Sequence, residues 1–385
     1  NNNICSVDIP SSVTSIGGWA FANNCLTDVE LPAGVQISGG TFSNNDITDS
    51  SAFIYKKNAD GTADYSTIVS YAGNKVDNIT LPATKNGVAL TRIEGNAFSG
   101  VGLTGHLTIP STVTYIGGDA FAFNKLTSVT LNEGLKTIAS GAFRSNKLTS
   151  IDIPDSVTKI ETTAFNSNNI NGPDGIIYGR TTSGPDYGYI VSYAGGNVDG
   201  TITIPATKNG VKLRQIGGSA FADCRLTDVT LPDISQTNNL SISTNAFIRN
   251  RISSSSSSAY NNGGFFCKVS SGVIDCSTIS SYGGTTSGTI TIPDTINGTT
   301  VKRVSAYFTW MSYSKLVLPS YSDLVLDNGV FGKSARNNQN LKTIVNKSGK
   351  SFAWDKITST SITANNTFVT GTITHEAGNI EVVSG

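Results

Sequence analysis

Apolar residues recur along this chain at a fixed spacing, and the clearest stretch runs from Leu126 to Phe165. It reads LTSVTLNEGLKTIASGAF, then RSNK, then LTSIDIPDSVTKIETTAF. Each copy places Leu-x-x-Val/Ile-x-Leu/Ile first, Val/Leu-x-x-Ile second and Ala-Phe last, and Phe121, Phe143 and Phe165 follow one another at intervals of 22 residues. A fixed period of about 20–30 residues predicts a solenoid, in which each repeat buries its apolar face against the next.

The apolar segments within each repeat are short, β-branched and closed by proline or glycine. Such segments predict short strands, because proline ends ladder pairing and Gly-Gly pairs favour turns. Pairs of this kind stand shortly before Ala-Phe, at Gly17-Gly18, Gly117-Gly118 and Gly217-Gly218. We therefore expect coils made of strands and tight turns.

Three longer inserts interrupt the repeats, at residues 47–78, at residues 170–200 and from Ile252 onward. In the first insert, Ala52–Tyr55 and Tyr65–Tyr71 flank a polar stretch that contains Asp-Gly, which predicts a β-hairpin. The sequence Val-Ser-Tyr-Ala-Gly closes the first two inserts, and Ser-Ser-Tyr-Gly-Gly stands at the same place in the third. The chain therefore has a second, longer period, consisting of a hairpin and several repeats.

This longer period suggests how the chain is organised. Because it begins at Asn1 without Met and already within a repeat, we expect a fragment of a longer protein. We expect one continuous solenoid body in five segments. These are residues 1–46 (N-terminal repeats), 47–169 and 170–251 (each a hairpin insert plus repeats), 252–348 (hairpin insert plus divergent repeats) and 349–385 (a β-rich C-terminal cap or the start of a further module).

The repeat unit L-x-x-V-x-L-P-x-x-V-x-x-I-x-x-x-A-F-x-x-N/C resembles the BspA-like class of leucine-rich repeats, over roughly Ile4 to Ile344. The resemblance implies a mainly β, right-handed leucine-rich-repeat solenoid with coils of about 22–23 residues, interrupted here by three β-hairpin inserts. It also implies a secreted or cell-surface location and a role in adhesion or partner binding.

The third position after each repeat phenylalanine forms a regular row. It is occupied by Asn24, Asn45, Asn124, Asn146, Asn168, Cys224 and Asn250, with Val101 as the exception. A buried side-chain amide at a turn can satisfy backbone groups of neighbouring coils, so the row predicts a structural ladder rather than a glycan or metal site. On this interpretation Cys224 is a small buried side chain rather than a nucleophile.

Charge and motifs argue against several functions. Lys+Arg and Asp+Glu are 27 each, so there is no electrostatic reason to expect nucleic acid as a partner or binding to an anionic membrane. No apolar run is long enough to insert into a membrane. The two histidines, His106 and His375, are far apart, and no hydrolase, metalloprotease or phosphate-binding motif occurs. We expect no enzymatic activity, no catalytic residue, no metal site and no cofactor.

The cysteines leave their pairing open. Cys267 and Cys276 flank a predicted hairpin turn, so they form either a disulfide or two buried thiols. Cys5 and Cys25 lie about one coil apart, but their separation of 20 residues is two short of the period, which disfavours a bridge.

Three aromatic residues stand where other repeats carry small or polar residues, and the core does not explain them. They are Trp19, Tyr115 and Phe123. Either they anchor a ligand or they pack on a neighbouring coil, a hairpin or the N-terminal cap. The first reading makes the chain a non-enzymatic extracellular binding or adhesion module for a protein or glycan on a host or neighbouring cell. The alternative is a structural subunit that assembles with copies of itself into an extracellular filament, sheath or surface layer.

Overall fold

The structure is a computed structural model. It describes residues 2–73, 76–196, 199–253, 257–258, 260–285, 287–308, 311–327, 330, 340–353, 367–368, 371–373 and 380–385. By internal contacts the chain divides into two compact units. The first unit is Asn1–Asp186 with Ile190–Asn197, and the second is Tyr187–Tyr189 with Val198–Gly385.

Short strands dominate the described residues, and helix there is limited to the 3-10 turns Asp49–Ala52, Gly172–Gly175 and Ile234–Gln236. The strands begin with β1 (Ser15–Ile16), β2 (Gln36–Ile37), β3 (Phe53–Lys57), β4 (Ala63–Tyr71), β5 (Asp77–Thr80), β6 (Thr84–Lys85), β7 (Val88–Ala89), β8 (Arg92–Ile93), β9 (Thr104–Thr108), β10 (Tyr115–Ile116), β11 (Lys125–Thr130), β12 (Thr137–Ile138), β13 (Lys159–Ile160), β14 (Ile176–Thr181) and β15 (Gly184–Tyr193). They continue with β16 (Gly200–Thr203), β17 (Thr207–Lys208), β18 (Val211–Lys212), β19 (Gln215–Ile216), β20 (Leu226–Thr230), β21 (Ser241–Ile242), β22 (Ser257–Ser258), β23 (Asn261–Asn262), β24 (Phe265–Ser270), β25 (Val273–Tyr282), β26 (Ser287–Thr291), β27 (Thr295–Ile296), β28 (Thr299–Thr300), β29 (Arg303–Val304), β30 (Ser312–Val317), β31 (Val325–Leu326), β32 (Thr343–Asn346), β33 (Phe352–Ala353), β34 (Thr367–Phe368), β35 (Gly371–Ile373) and β36 (Ile380–Ser384).

Successive coils stack in register, which confirms the predicted mainly β solenoid. In the first unit β8, β10, β12 and β13 form a parallel strip in which Ile93, Ile116, Ile138 and Ile160 lie side by side. A second parallel strip joins β5, β9 and β11. The second unit repeats the arrangement with β25, β29 and β31, and with β26, β30 and β32. Residues at equivalent positions of successive repeats, such as the isoleucines, therefore lie against one another along the stack of coils.

The repeat phenylalanines form the centre of each unit. Phe121, Phe143 and Phe165 are fully buried, with ring centroids 5.4 Å apart at each step and planes within 7° of parallel. In the second unit Phe221 stacks on Phe247 at 5.2 Å. Burial of such a side chain is worth about 1.5–3 kcal/mol, so these rows hold adjacent coils together.

Each insert is an antiparallel hairpin whose second strand also serves as a coil strand. β3 pairs with β4, β14 with β15 and β24 with β25. The end of β4 pairs in parallel with β8, through Ile68 and Ile93. The hairpin coil therefore continues the solenoid with a shorter turn: Tyr71 follows Ile68 by three residues, whereas Phe98, on which it stacks, follows Ile93 by five.

The shorter turn brings the coils on either side of a hairpin together. A Cβ added at Gly39 would lie 1.4 Å from the carbonyl oxygen of Gly95, although the hairpin coil stands between them in sequence. A side chain at position 39 is therefore excluded, and this is one place where glycine is required by a close backbone approach.

Three further small hairpins follow the inserts, and our sequence analysis did not identify them. They are β6–β7, β17–β18 and β27–β28. Each turns at Asn-Gly with both residues at positive φ, for example Asn86 at 51° and Gly87 at 78°. Asn-Gly between two extended segments is the strongest short hairpin signal, so it could have been found.

The sequence analysis was wrong about Cys5 and Cys25, which form a disulfide with their Cα atoms 4.4 Å apart. At this corner the backbone N–H of Cys25 donates to the carbonyl of Ile4, 21 residues earlier, and Lys147 to Leu126 shows the same step. In parallel pairing the residue that follows the acceptor lies beside the donor, so Cys5 lies beside Cys25 and the local register is 20 residues, which brings the two sulfur atoms together. Cys267 and Cys276 are also joined, across β24 and β25.

Much of the predicted C-terminal cap, residues 349–385, lies outside the described residues. Within the described part, β36 pairs in parallel with β32 and antiparallel with β35. The division of the chain into five segments stays a prediction.

Candidate binding surface

The row of asparagines lies inside the fold and bonds to the backbone of two coils. Asn146 is 1% exposed, and its Nδ2 donates to the carbonyls of Phe121 at 2.9 Å and Phe143 at 3.1 Å. Its Oδ1 accepts the N–H of Leu126 at 3.1 Å. The same pattern recurs at Asn45, Asn124, Asn168 and Asn250. These side chains are occupied by the scaffold, so we do not assign them to ligand binding.

Asn24 is only half-buried, because it belongs to the first coil. Its Oδ1 accepts the N–H groups of Asn2 and Ile4, both at 3.2 Å, and its Nδ2 donates to the carbonyl of Phe21 at 3.1 Å. Asn24 therefore makes the same kinds of hydrogen bond as the buried asparagines, but it bonds to one phenylalanine carbonyl instead of two.

The exceptions in the row fall in the coil that follows each hairpin. Val101, Cys224 and Met311 occupy this position and are buried. The preceding coil ends there in Ser-Tyr rather than Ala-Phe, so the pair of phenylalanine carbonyls that an asparagine would bridge is not present. Cys224 is a free cysteine whose sulfur contacts the carbonyl of Ala222 at 3.2 Å. Cys224 is therefore buried as a small core side chain.

Trp19 and Phe123 share an unusual backbone conformation. Their φ angles are 64° and 57°, in the left-handed region that disfavours side chains other than those of Asn, Asp and Gly. Equivalent turns place Asp119 and Thr163 at the Trp19 position, and Asn44 at the Phe123 position, with similar φ angles. Small polar residues therefore predominate at these turns, although Arg249 occupies the Phe123 position after Phe247 at a φ of 55°.

Both rings are exposed, but not to the same extent. Phe123 is 53% exposed and Trp19 is 44% exposed. The Trp19 ring lies over the next coil, since a Cβ built at Gly40 would come within 3.3 Å of it. Trp19 thus packs partly on the neighbouring coil, which is the alternative to ligand binding that the sequence left open. Phe123 presents more of its surface to solvent.

Phe123 belongs to a fixed group of three side chains, which we call the turn patch: Asp119, Phe123 and Arg144. The Arg144 guanidinium bonds Asp119 through Nε at 2.6 Å and Nη2 at 3.0 Å. Its Cζ lies 4.4 Å from the centroid of the Phe123 ring. A Cβ at Gly141 would meet both charged groups, so the glycine leaves room for the pair. The two-point carboxylate contact fixes the guanidinium plane against the ring.

Tyr115 lies on the strip of parallel strands rather than on the turns. Its half-buried ring is covered by Arg92, whose Cζ is 3.8 Å from the ring centroid. The Arg92 guanidinium also bonds Glu94 at 2.6 Å, and this hydrogen bond raises the pKa of Arg92. The three predicted aromatics therefore have separate surroundings, and only Phe123 combines high exposure with a rigid charged partner.

Of the two histidines, His106 lies in the part of the chain that the structure describes. His106 lies on β9, with its ring nitrogens 2.7 Å from the hydroxyl of Ser128 and 3.0 Å from that of Thr130, and His375 lies outside the described residues. Among the residues that the structure describes, no three or more His, Cys, Asp and Glu side chains are grouped to hold a metal ion. None of the helices in that part of the chain has the length and hydropathy to cross a bilayer.

Stacked strand-and-turn coils and a buried asparagine row together define a solenoid repeat protein. The chain belongs to the BspA type leucine-rich repeat family. The family model matches in 6 copies, over residues 1–59, 62–171 and 200–302, which is more than half of the chain. A comparison with curated proteins found no significant match.

Solved structures with similarity to this chain include bacterial proteins described as leucine-rich. The Treponema pallidum leucine-rich repeat protein has 21% identity and a TM-score of 0.33, over 52% of this chain and 87% of that one. A leucine-rich cell surface protein of Faecalibacterium prausnitzii has 20% identity and a TM-score of 0.29, over 82% and 97%. The pneumococcal vaccine antigen PcpA has 14% identity and a TM-score of 0.30, over 89% and 80%. The family assignment rests on the matched repeats and not on these superpositions.

Proposed function

We propose that this chain is a non-enzymatic binding or adhesion module of the cell exterior, which contacts a protein or glycan on a host or neighbouring cell through the turn patch. The observation that supports this most is Phe123. Phe123 is 53% exposed in a backbone conformation that most equivalent turns give to small polar residues such as Asn44 and Ser145. Neither burial nor turn geometry favours phenylalanine there, and exposed aromatics beside arginine are the residue types that anchor interfaces.

The cysteines support a location outside the cytosol. Two disulfides, Cys5–Cys25 and Cys267–Cys276, account for four of the 5 cysteines. Disulfides persist in oxidising compartments such as the cell surface and are rare in the cytosol. The Faecalibacterium protein described as a cell surface protein is consistent with this location.

The test is binding of the fluorescently labelled chain to cultured epithelial cells and to bacterial cells, with Phe123→Ser as the variant. Serine is the residue that the equivalent turn carries at Ser145, so the fold is retained. We expect saturable binding by the parent chain and a loss of at least tenfold in affinity for the variant, or about 1.4 kcal/mol.

The matched control is Asn44→Ser, which makes the same replacement at an equivalent left-handed position without removing an aromatic ring. It should bind as the parent does. Equal binding by Phe123→Ser and the parent chain would reject the turn patch as the contact surface.

Self-assembly is the second candidate, and the net charge favours it. Lys+Arg and Asp+Glu are 27 each, so copies of the chain carry no net charge that would hold them apart. Sedimentation velocity over a wide range of concentration would show growing species. A chain that sediments as a monomer throughout would exclude assembly.

A further inference from the structure

The third hairpin opens a groove within the second unit. β24 lies between β21 and β25, with Ile242 paired to Val269, and β25 pairs with β29 through Thr278 and Arg303. Neighbouring strands are about 4.8 Å apart, so β21 and β29 are separated by about 14 Å. Just beyond these strands the same two coils meet, because the N–H of Tyr307 donates to Oδ1 of Asn245 at 2.9 Å. The separation between the coils that carry β21 and β29 therefore decreases to a direct hydrogen bond at one end.

This geometry leaves a groove of about 670 Å³ on the face of the hairpin opposite Ile279, which belongs to the core. The volume lies within the range of small-ligand sites, about 300–1,000 Å³. Hydroxyl groups dominate the lining, among them those of Ser243, Thr244, Ser270, Thr278 and Ser305. The hydroxyls of Thr278 and Ser305 already donate to Asp275 and Asp327, and their oxygens can still accept hydrogen bonds from a ligand that itself carries many hydroxyls.

The charged groups of the groove are paired. Arg303 bonds Asp327 through Nε at 3.1 Å and Nη2 at 2.5 Å. The other cation, Lys268, lies opposite Asp275 in the hairpin register. With each positive charge next to a carboxylate, the groove does not select an anionic ligand such as a phosphate or sulfate. A fixed carboxylate–guanidinium pair still offers both acceptors and donors to a neutral polar ligand.

Tyr307 supplies an apolar surface at the narrow end. It is 39% exposed, although its backbone N–H is held by Asn245. A flat ring with an anchored backbone can stack on the apolar face of a sugar ring at little cost in conformational entropy. Hydroxyl walls, a neutral charge pair and one aromatic platform together match the chemistry of a saccharide better than that of an apolar peptide side chain.

We propose that this groove binds a neutral oligosaccharide. Tyr307 stacks on one sugar ring, while the Arg303–Asp327 pair and the serine and threonine hydroxyls hydrogen-bond to the sugar hydroxyls. The site is separate from the turn patch and does not depend on it.

The test uses the whole chain on a printed array of neutral, sialylated and sulfated oligosaccharides, followed by calorimetric titration of the strongest neutral glycan. We expect binding to neutral glycans, a loss of at least tenfold with Tyr307→Ala, and near-parent binding with Tyr307→Phe, which keeps the ring. Tyr321→Ala is the control, because this tyrosine lies beside Lys302 and does not line the groove.

Several results would overturn the proposal: no neutral glycan bound, preference for sulfated glycans, or unchanged affinity in a folded Tyr307→Ala protein. Capture of a protein ligand that Tyr307→Ala abolishes, with a blank array, would assign the groove to protein binding instead. Phe123→Ser should retain glycan binding, so failure at the turn patch and failure at the groove are distinguishable.

Discussion

The residue type at a repeated position in this fold depends on whether neighbouring coils leave backbone hydrogen-bonding groups without a partner. Asn146 satisfies one N–H and two carbonyls that belong to two coils, and water cannot reach them. Where a hairpin precedes the coil, the same position is apolar, as at Cys224. The asparagine is thus a response to a local need for hydrogen bonds rather than a fixed feature of the repeat.

Asn146→Ala should lower the free energy of unfolding by about 1–3 kcal/mol, because the buried N–H of Leu126 loses its acceptor and the carbonyls of Phe121 and Phe143 each lose one of two amide donors. Urea denaturation followed by circular dichroism measures this. Cys224→Val is the control, since it exchanges small apolar side chains and should change stability by less than about 1 kcal/mol. Equal stabilities of the two variants would show that the asparagine row contributes nothing.

The hairpins are the elements that depart from the repeat, and a serine compensates for the change. In ordinary coils the N–H of Phe143 donates to the carbonyl of Ala164 in the next coil. Before a hairpin coil, the N–H of Phe42, Phe165 or Phe247 donates instead to a serine hydroxyl. The acceptors are the serines of the recurring Ser-Tyr pair: Ser70, Ser192 and Ser281. A side chain replaces the backbone carbonyl that the shortened turn removes.

Ser192→Ala should therefore destabilise the first unit by about 1–3 kcal/mol, because the N–H of Phe165 and Oδ1 of Asn166 both lose a buried partner. Hydrogen exchange at the Phe165 amide should become faster, whereas exchange at Phe121, two coils away, should not. Unchanged protection of the Phe165 amide would argue against the serine as its acceptor.

Two hairpins also contain a carboxylate that organises the second strand. Oδ1 of Asp275 accepts the N–H and hydroxyl of Ser277 at 3.0 and 2.6 Å, and Oδ2 accepts Thr278 at 3.0 Å. Asp64 makes the equivalent contacts with Ser66 and Thr67. Burial raises the pKa of the Asp275 carboxyl, but these hydrogen bonds and Lys268 outweigh it and leave the pKa below its ordinary value of 3.8.

A lowered pKa in the folded state makes the folded protein bind protons less readily than the unfolded chain. The contribution of the ionised Asp275 carboxylate to stability is complete above pH 3.8 and is lost as the pH falls through the pKa of the folded state. We expect urea midpoints that are constant near neutral pH and fall below pH 3.8. Asp275→Asn should reduce the fall, and an identical pH profile for this variant would contradict the assignment.

The whole molecule is held by periodic burial and, at two places, by covalent bonds. Cys5–Cys25 joins the first coil to the second, and Cys267–Cys276 closes the third hairpin. Each bridge also reduces the conformational freedom of the unfolded chain.

Thiol labelling tests this arrangement. Denatured protein from an oxidising expression host should show one reactive thiol, that of Cys224, and all 5 after reduction. Reduction should lower the thermal midpoint, with Cys224→Val as the control that leaves both bridges intact. Five thiols before reduction would contradict the disulfides and remove the main support for an extracellular location.

The sequence by itself determined whatever repeats from coil to coil. The phenylalanine stack, the asparagine row and the hairpin positions follow from spacing, because stacked coils place equivalent residues against one another. The departures of Trp19 and Phe123 from the repeat were visible for the same reason, and the Asn-Gly turns could have been read as well.

Only the tertiary structure decided the contacts between unlike positions. It joined Cys5 to Cys25 because the N–H of Cys25 bonds to the residue before Cys5, which gives that corner a register of 20 residues. It placed Arg144 between Asp119 and Phe123, and it opened the groove beside Tyr307 where a hairpin separates two coils. Such contacts depend on the local register and on how far coils are spread, and the period of the sequence contains neither quantity.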